Sequence, residues 1–154
     1  MPPQWREADW PAHPAIDFFR RYFGFAPQFA EAEVRRMIAA YYGVCTYLYA
    51  RIGEVLDCLR GLNLTDRTRI MNASEHGADM GARGIFGKFT HDDGAVAVPL
   101  ILAGPDVPAG KVSQTPVSLV DCFPTVVNCV GAHLKDQDAN LPGTSLWEIA
   151  ADSD

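Results

Sequence analysis

From Glu31 onward, apolar side chains at Val34, Met37, Ile38, Tyr41, Cys45, Leu48, Ile52, Val55, Leu56 and Leu59 recur at intervals of three and four residues. A strand alternates its faces every two residues and cannot keep such a stripe together, whereas an α-helix does so without interruption. One long amphipathic helix over residues 31–60 is therefore the feature around which any fold of this chain is arranged. Glu31 and Glu33 fall in its first turn, where the helix dipole favours carboxylates, and Gly61 is placed for the C′ position just past Arg60. The tyrosines Tyr41, Tyr42, Tyr47 and Tyr49 read as core and interface packing, since no basic groove accompanies them.

The segments after the helix change period. Residues 68–73 (TRIMNA) are short enough for a buried strand. Residues 96–103 (VAVPLILA) read as a second strand, stopped by Gly104-Pro105, with the internal proline marking an edge or a strand start. Helical spacing returns over residues 118–130, and Pro124 puts the helix start near Val120, because proline is accommodated only in a first turn. Residues 1–28, rich in proline and aromatics, read as a connection leading into a domain at 29–150, with a short helix over residues 15–22. Residues 141–147 read as a docking turn before an acidic end. Helix, strand, polar loop, strand and helix together make the expected fold class α/β.

Composition narrows the function. A net charge of -6 with no block of Lys or Arg argues against nucleic acid and anionic lipid as partners. Nothing approaches the apolar run of about 20 residues that a membrane-spanning helix needs. The N-terminus lacks the apolar core and small-residue cleavage site of a secretory signal, so the expected location is cytoplasmic. Cys45, Cys58, Cys122 and Cys129 form no C-x-x-C pair and read as buried free thiols.

The chemistry is concentrated in Ser74-Glu75-His76-Gly77, followed by Gly81, Gly84 and Lys88, in the loop after the first strand. Ligands of α/β proteins gather outside strand C-termini. A carboxylate and an imidazole side by side there can both serve one divalent ion if glycines let the backbone turn sharply beneath them. Oxygen donors suit Ca²⁺, Mg²⁺ or Mn²⁺, and an imidazole tilts the choice toward Mn²⁺ or Zn²⁺. Lys88 brings positive charge for an anionic substrate, and His91, three residues on, is a further candidate for contact with it. Asp79 and Arg83, four apart, are expected to pair across a short helical turn, and His13 and His133 to lie on the surface.

Residues 34–60 (VRRMIAAYYGVCTYLYARIGEVLDCLR), 74–90 (SEHGADMGARGIFGKFT), 98–105 (VPLILAGP) and 116–125 (PVSLVDCFPT) resemble, in order and spacing, the sulfatases of the alkaline-phosphatase superfamily, particularly the choline-sulfatase and phosphonate-monoester-hydrolase branch. The resemblance runs from about His13 to Trp147. It implies a partial alkaline-phosphatase-like sandwich, helices on a mixed sheet, with the N-terminal half missing from this stretch. In the family an Asp-His-Gly or Asp-Asn-Gly segment supplies two metal ligands, and Glu75 and His76 stand at those positions. A lysine twelve residues after the second ligand contacts the ester, and Lys88 has that spacing. The implied cofactor is a divalent metal, calcium first, with manganese or magnesium as alternatives. The implied nucleophile is a formylglycine in Cys/Ser-x-Pro-x-Arg, which together with two aspartate ligands belongs upstream of this stretch.

Cys122-Phe123-Pro124-Thr125-Val126 imitates that nucleophile segment, but Val126 stands in place of its arginine and the position matches the family's Val-Asp-hydrophobic-Pro-Thr helix start, so Cys122 reads as a packed thiol. Glu75 replaces an aspartate and adds about 1.5 Å of reach. Ala97 stands where relatives usually have arginine, Asp93 where they have glutamate, and Tyr49 where they often have aspartate. The expected function is thus part of a hydrolase of small sulfate esters, with a small anionic ester as substrate, a homo-oligomer as a further expectation, and no turnover from this stretch alone. The alternatives are a non-catalytic sulfatase-like module and a phosphate or phosphonate ester hydrolase.

Overall fold

The computed structural model describes residues 1–25, 29–138 and 140–152. Its helices are α1 (Pro14–Tyr22), α2 (Glu31–Gly61), α3 (Asp93–Val96), α4 (Cys122–Cys129) and α5 (Leu146–Asp152). Its strands are β1 (Ile70–Ala73), β2 (Asp79–Met80), β3 (Phe86–Gly87) and β4 (Leu100–Ala103). The fold class is α/β, with small antiparallel sheets. The chain divides into two compact units, residues 1–58 with 76–98 and residues 59–75 with 99–154. Residues 26–28 of the expected leading connection lie outside the described residues.

α2 runs its expected course, but it ends differently. Gly61 is still helical, and Asn63 takes the left-handed conformation at φ 54°. Asn63 N donates to Arg60 O at 3.0 Å and Leu64 N to Leu59 O at 2.9 Å, the paired closing bonds of a Schellman motif with Asn63 at C′. Asparagine tolerates this backbone region better than other side chains, which is why the stop falls there. Of the helix only Val34 is buried, while Tyr42, Tyr47 and Tyr49 are exposed, so the tyrosines do not pack in the core of the structure as expected. No described helix is long and apolar enough to cross a membrane.

In the first unit, α1 begins with Pro14 at a position that needs no amide hydrogen, and exposed His13 caps it by accepting from Ala15 N at 3.2 Å. Phe19 of α1 and its C-cap residue Phe23 join Phe25, Phe29, Phe86 and Phe89 in one aromatic cluster, with Phe23 and Phe89 stacked at 4.6 Å and Phe29 edge-on to Phe86 at 5.2 Å. β2 and β3 form a two-stranded ladder pairing Asp79 with Gly87 and Met80 with Phe86. The N-terminal stretch therefore packs as framework for the loop that follows β2.

The expected strand over residues 96–103 is shortened. Residues 93–96 form α3, and β4 begins only after Pro99, which has no amide hydrogen to give a ladder. In the second unit β4 pairs antiparallel with β1, Ile70 opposite Ala103 and Ala73 opposite Leu100. β1 is half-buried rather than fully buried. Leu100 and Leu102, with Ile149 of α5 and Val107, line an apolar pocket of about 340 Å³.

α4 is preceded by a capping box in which Ser118 and Asp121 satisfy each other's backbone, and Pro124 sits in the first turn of the helix. Asp121 also accepts from Thr144 N at 2.8 Å, which docks the tail as the sequence suggests, and α5 extends it. Thr125 is 1% exposed; its hydroxyl donates to Asp121 O and accepts from Leu146 N. Replacing Thr125 by valine keeps the shape but leaves the Leu146 amide without its acceptor. The expected cost is about 2 kcal/mol, read by urea unfolding, with earlier proteolytic loss of the tail. Cys45, Cys122 and Cys129 are half-buried and Cys58 is exposed, so the thiols are less enclosed than the sequence suggests.

Candidate functional site

His76 and Lys88 are brought together in the first unit. Lys88 Nζ lies 2.7 Å from His76 Nε2, and His76 Nδ1 lies 2.9 Å from Gly77 O. A carbonyl oxygen only accepts, so Nδ1 carries the proton; an ammonium only donates, so Nε2 offers its lone pair to Lys88. The tautomer with its proton on Nδ1 satisfies both contacts and directs the Nε2 lone pair at Lys88. This is the arrangement by which metal-binding histidines are held. His76 is half-buried and Lys88 is exposed.

Three devices hold the two residues. Gly77 N donates to Ala95 O at 2.8 Å, and a Cβ on Gly77 would stand 2.2 Å from Gly94 O, so the glycine is required by the close approach of two backbones. The sharp turns are at Gly81, Gly84 and Gly87, with φ of 97°, 70° and 96°, while Gly77 has no positive φ. Lys88 is flanked by Phe86 and Phe89, both anchored in the aromatic cluster, so its backbone is fixed on both sides.

The third device is a polar network. Arg83 has left-handed backbone (φ 53°), and Arg20, 2% exposed, donates to its carbonyl oxygen from Nε at 3.0 Å and from Nη2 at 2.6 Å. The Arg20 guanidinium also lies over the Trp10 ring at 4.3 Å and pairs with Asp17 at 3.1 Å. Burial pushes the Arg20 pKa below its ordinary value and the neighbouring Asp17 raises it in part. Arg83 itself grips Asp92 in two-pronged fashion, Nη2 to Oδ1 at 2.6 Å and Nε to Oδ2 at 3.1 Å, and this hydrogen bonding raises its pKa despite some burial.

The expected Asp79–Arg83 ion pair across a helical turn is thereby corrected. Asp79 lies in β2, where side chains four apart do not share a helix face. It is 2% exposed and accepts from the Thr90 hydroxyl at 2.6 Å, and Thr90 Oγ1 in turn accepts from Asp92 N at 3.2 Å. Arg20, Thr90 and Asp92 had no sequence signal of their own. The left-handed backbone of Arg83 inside the Gly81–Gly84 turn, which only the structure reveals, is what they clamp.

The remaining candidates are placed as follows. His91 is exposed and, with Asp79, Arg83, Asp92 and Asp93, lines a pocket of about 420 Å³ whose lining includes neither His76 nor Lys88. Glu75 is exposed and belongs to the second unit, just past β1. Among the described residues no three His, Cys, Asp or Glu side chains group closely enough to hold a metal ion. His76 Nε2 is a nitrogen donor of the kind a divalent ion takes, and in this arrangement it faces Lys88 at 2.7 Å.

A family model described as Sulfatase matches residues 8–132. Choline-sulfatase of Rhizobium meliloti (strain 1021) is 35% identical over 116 residues, 75% of this chain and 22% of that protein. Human arylsulfatase K is 30% identical over 142 residues, 92% of this chain and 26% of that protein. Among solved structures, a phosphonate monoester hydrolase from Silicibacter pomeroyi superposes with a TM-score of 0.72 at 29% identity, covering 79% of this chain and 23% of that one. Another, solved with its substrate D-glucosamine-2-N,6-O-disulfate, gives 0.60 at 27% identity, covering 66% of this chain and 20% of that one. The chain thus spans about a quarter of the length of the relatives it matches.

Proposed function

Since this chain belongs to the sulfatase family, we propose that it is part of a metal-dependent hydrolase of small sulfate esters and that it contributes Glu75, His76 and Lys88 to the site. The observation that carries this reading is the pairing of His76 and Lys88, with the imidazole held in the tautomer whose Nε2 lone pair can enter a coordination shell. Glu75, the preceding residue in the chain, would contribute a carboxylate oxygen. A divalent ion held there, calcium first and manganese or magnesium next, would supply charge neutralisation at the oxygens of the ester.

Lys88 adds a compact positive charge that strengthens as negative charge accumulates on the transferred group, so its effect falls on the barrier more than on substrate affinity. Phe86 and Phe89, anchored in the aromatic cluster, fix the backbone from which Lys88 reaches. His91, exposed at the edge of the same loop, is the outer candidate for substrate contact. The nucleophile in the family this chain resembles is a formylglycine, and no residue of this chain is assigned that role.

A second reading, hydrolysis of a phosphonate or phosphate monoester, is favoured by the likeness to the Silicibacter pomeroyi hydrolase. Both ester classes are tetrahedral oxyanions that the same lysine and metal would neutralise.

The test is isothermal titration of the purified chain with Ca²⁺, Mg²⁺ and Mn²⁺, comparing the wild type with His76→Ala. Loss of the imidazole is expected to weaken binding of at least one of these ions by about tenfold or more. Identical isotherms for the two proteins would remove His76 from the metal site and with it the basis of the reading.

A further inference from the structure

Of the 31 residues of α2 only Val34 is buried, although the middle of the helix is largely apolar. Met37, Tyr41, Val44, Leu48, Arg51 and Val55 follow one another at four, three, four, three and four residues. That alternation places side chains in a single seam, the pattern of a helix packed along another helix. Tyr41, Val44, Leu48 and Val55 are between 39% and 65% exposed. The seam runs about 27 Å along the helix axis.

The uncovered area is that of an interface. The chain, of 16.8 kDa, exposes 10931 Å². Two separate compact bodies of half that mass would together expose about 9,200 Å². Roughly 1,700 Å² remains over even that, about twice what a standard interface takes from each partner and within the range of obligate dimers.

We propose that a second copy of this chain covers the seam, α2 packing antiparallel on α2 about a two-fold axis near Thr46. A two-fold contact sets one patch against itself, so the patch must be self-complementary. In this register Val44 faces Leu48 of the second copy, Met37 faces its Val55, and Tyr41 faces its Arg51. Arg51 already lies over an aromatic ring, that of Tyr47 at 5.2 Å, and carries its own counter-ion in Glu54 at 2.7 Å. Its guanidinium can therefore meet Tyr41 of the second copy without leaving an unpaired charge in the contact. Parallel pairing would instead set Arg51 against Arg51. Antiparallel pairing also opposes the two helix dipoles and brings the acidic first turn, Glu31 and Glu33, alongside Arg60 in the last turn of the second copy. The interface is independent of the ester chemistry proposed above.

The experiment is sedimentation equilibrium of the whole chain over a range of concentrations, for the wild type, Leu48→Glu and Tyr49→Glu. The wild type is expected to be a dimer with a Kd of about 1 µM or tighter. Leu48→Glu puts a carboxylate into the seam twice per dimer and is expected to weaken association at least about hundredfold. Leu48 is exposed within one chain, so the far-UV circular dichroism of the monomer should keep its helical signal. Tyr49 is more exposed still but lies about 100° further round the helix, off the seam, and Tyr49→Glu should change the affinity less than about threefold.

A wild type that is monomeric throughout overturns the proposal and leaves the seam to a different chain. Weakening by Tyr49→Glu as large as that by Leu48→Glu overturns it too, since association would then come from general stickiness and not from the seam. Orientation is read by mixing Arg51→Glu with the wild type. Antiparallel pairing gives no preferred heterodimer, whereas a heterodimer tighter than either homodimer would show parallel pairing and overturn the antiparallel register.

Discussion

Arg20→Ala is expected to lower the unfolding free energy by about 3 kcal/mol, with a fall in the urea midpoint and no change in its slope. Arg20 is 2% exposed and spends its guanidinium on three partners at once: the Arg83 carbonyl through two hydrogen bonds, the Asp17 carboxylate, and the face of Trp10. Truncation leaves the Arg83 carbonyl without its donors, opens a void beneath Trp10, and withdraws the support from a left-handed, non-glycine backbone that is unfavourable by itself. Lysine at this position retains the charge but has no planar fork to span the carbonyl and the carboxylate together, so Arg20→Lys should recover less than half of the loss. A variant Arg20→Ala as stable as the wild type would show that the clamp is incidental.

The second large effect is expected at Gly77. An alanine there would place its Cβ 2.2 Å from Gly94 O and 3.3 Å from the carbonyl carbon, and both obstacles are backbone, so no side chain can swing aside. Either the 76–78 segment or the 93–96 segment must move, and the hydrogen bond from Gly77 N to Ala95 O is lost with it. Gly77→Ala should therefore cost about 2–4 kcal/mol and displace the ring of His76. The calorimetric signature is loss of at least about tenfold in divalent-ion affinity alongside the lowered stability. Full retention of ion binding in a destabilised Gly77→Ala would separate the glycine's structural role from the site.

These two positions also mark how far the sequence can be read. The glycine was visible because it follows His76 in a recognisable segment, yet the reason for it was not: the structure requires close approach to Gly94, a contact with a residue seventeen positions away, rather than a sharp turn. Arg20 was invisible, because an arginine in the last turn of a short helix is ordinarily a solvated charge that complements the helix dipole. Its burial depends on Trp10 and on the odd backbone of Arg83, neither of which local pattern can supply.

The periodic and punctuated features fared better. α2 could be bounded to within a residue at each end because its stripe is long and its first turn acidic, although the stop belongs to Asn63 and not to Gly61. α4 began where Pro124 demanded. The strand over residues 96–103 was overdrawn at its start: its internal proline left an edge or a strand start open, and the structure takes the second, with a helical turn over residues 93–96 before it. His76 and Lys88 were both singled out in the sequence, but the hydrogen bond joining them was not, since spacing in sequence says nothing of the way two side chains point.

The tail has a consequence for how chains of this kind can diverge. One carboxylate, Asp121, both closes the start of α4 and receives the Thr144 amide from twenty-three residues downstream. The two ends of the intervening segment are thus joined at a single side chain. Closing a loop costs only about 0.6 kcal/mol more for each doubling of its length. Insertions and deletions between residues 131 and 143 are therefore nearly neutral for that joint, so long as an acidic residue remains at position 121. Related chains are free to vary this segment in length, and to acquire new surface there, while the docking of the C-terminal helix is inherited unchanged.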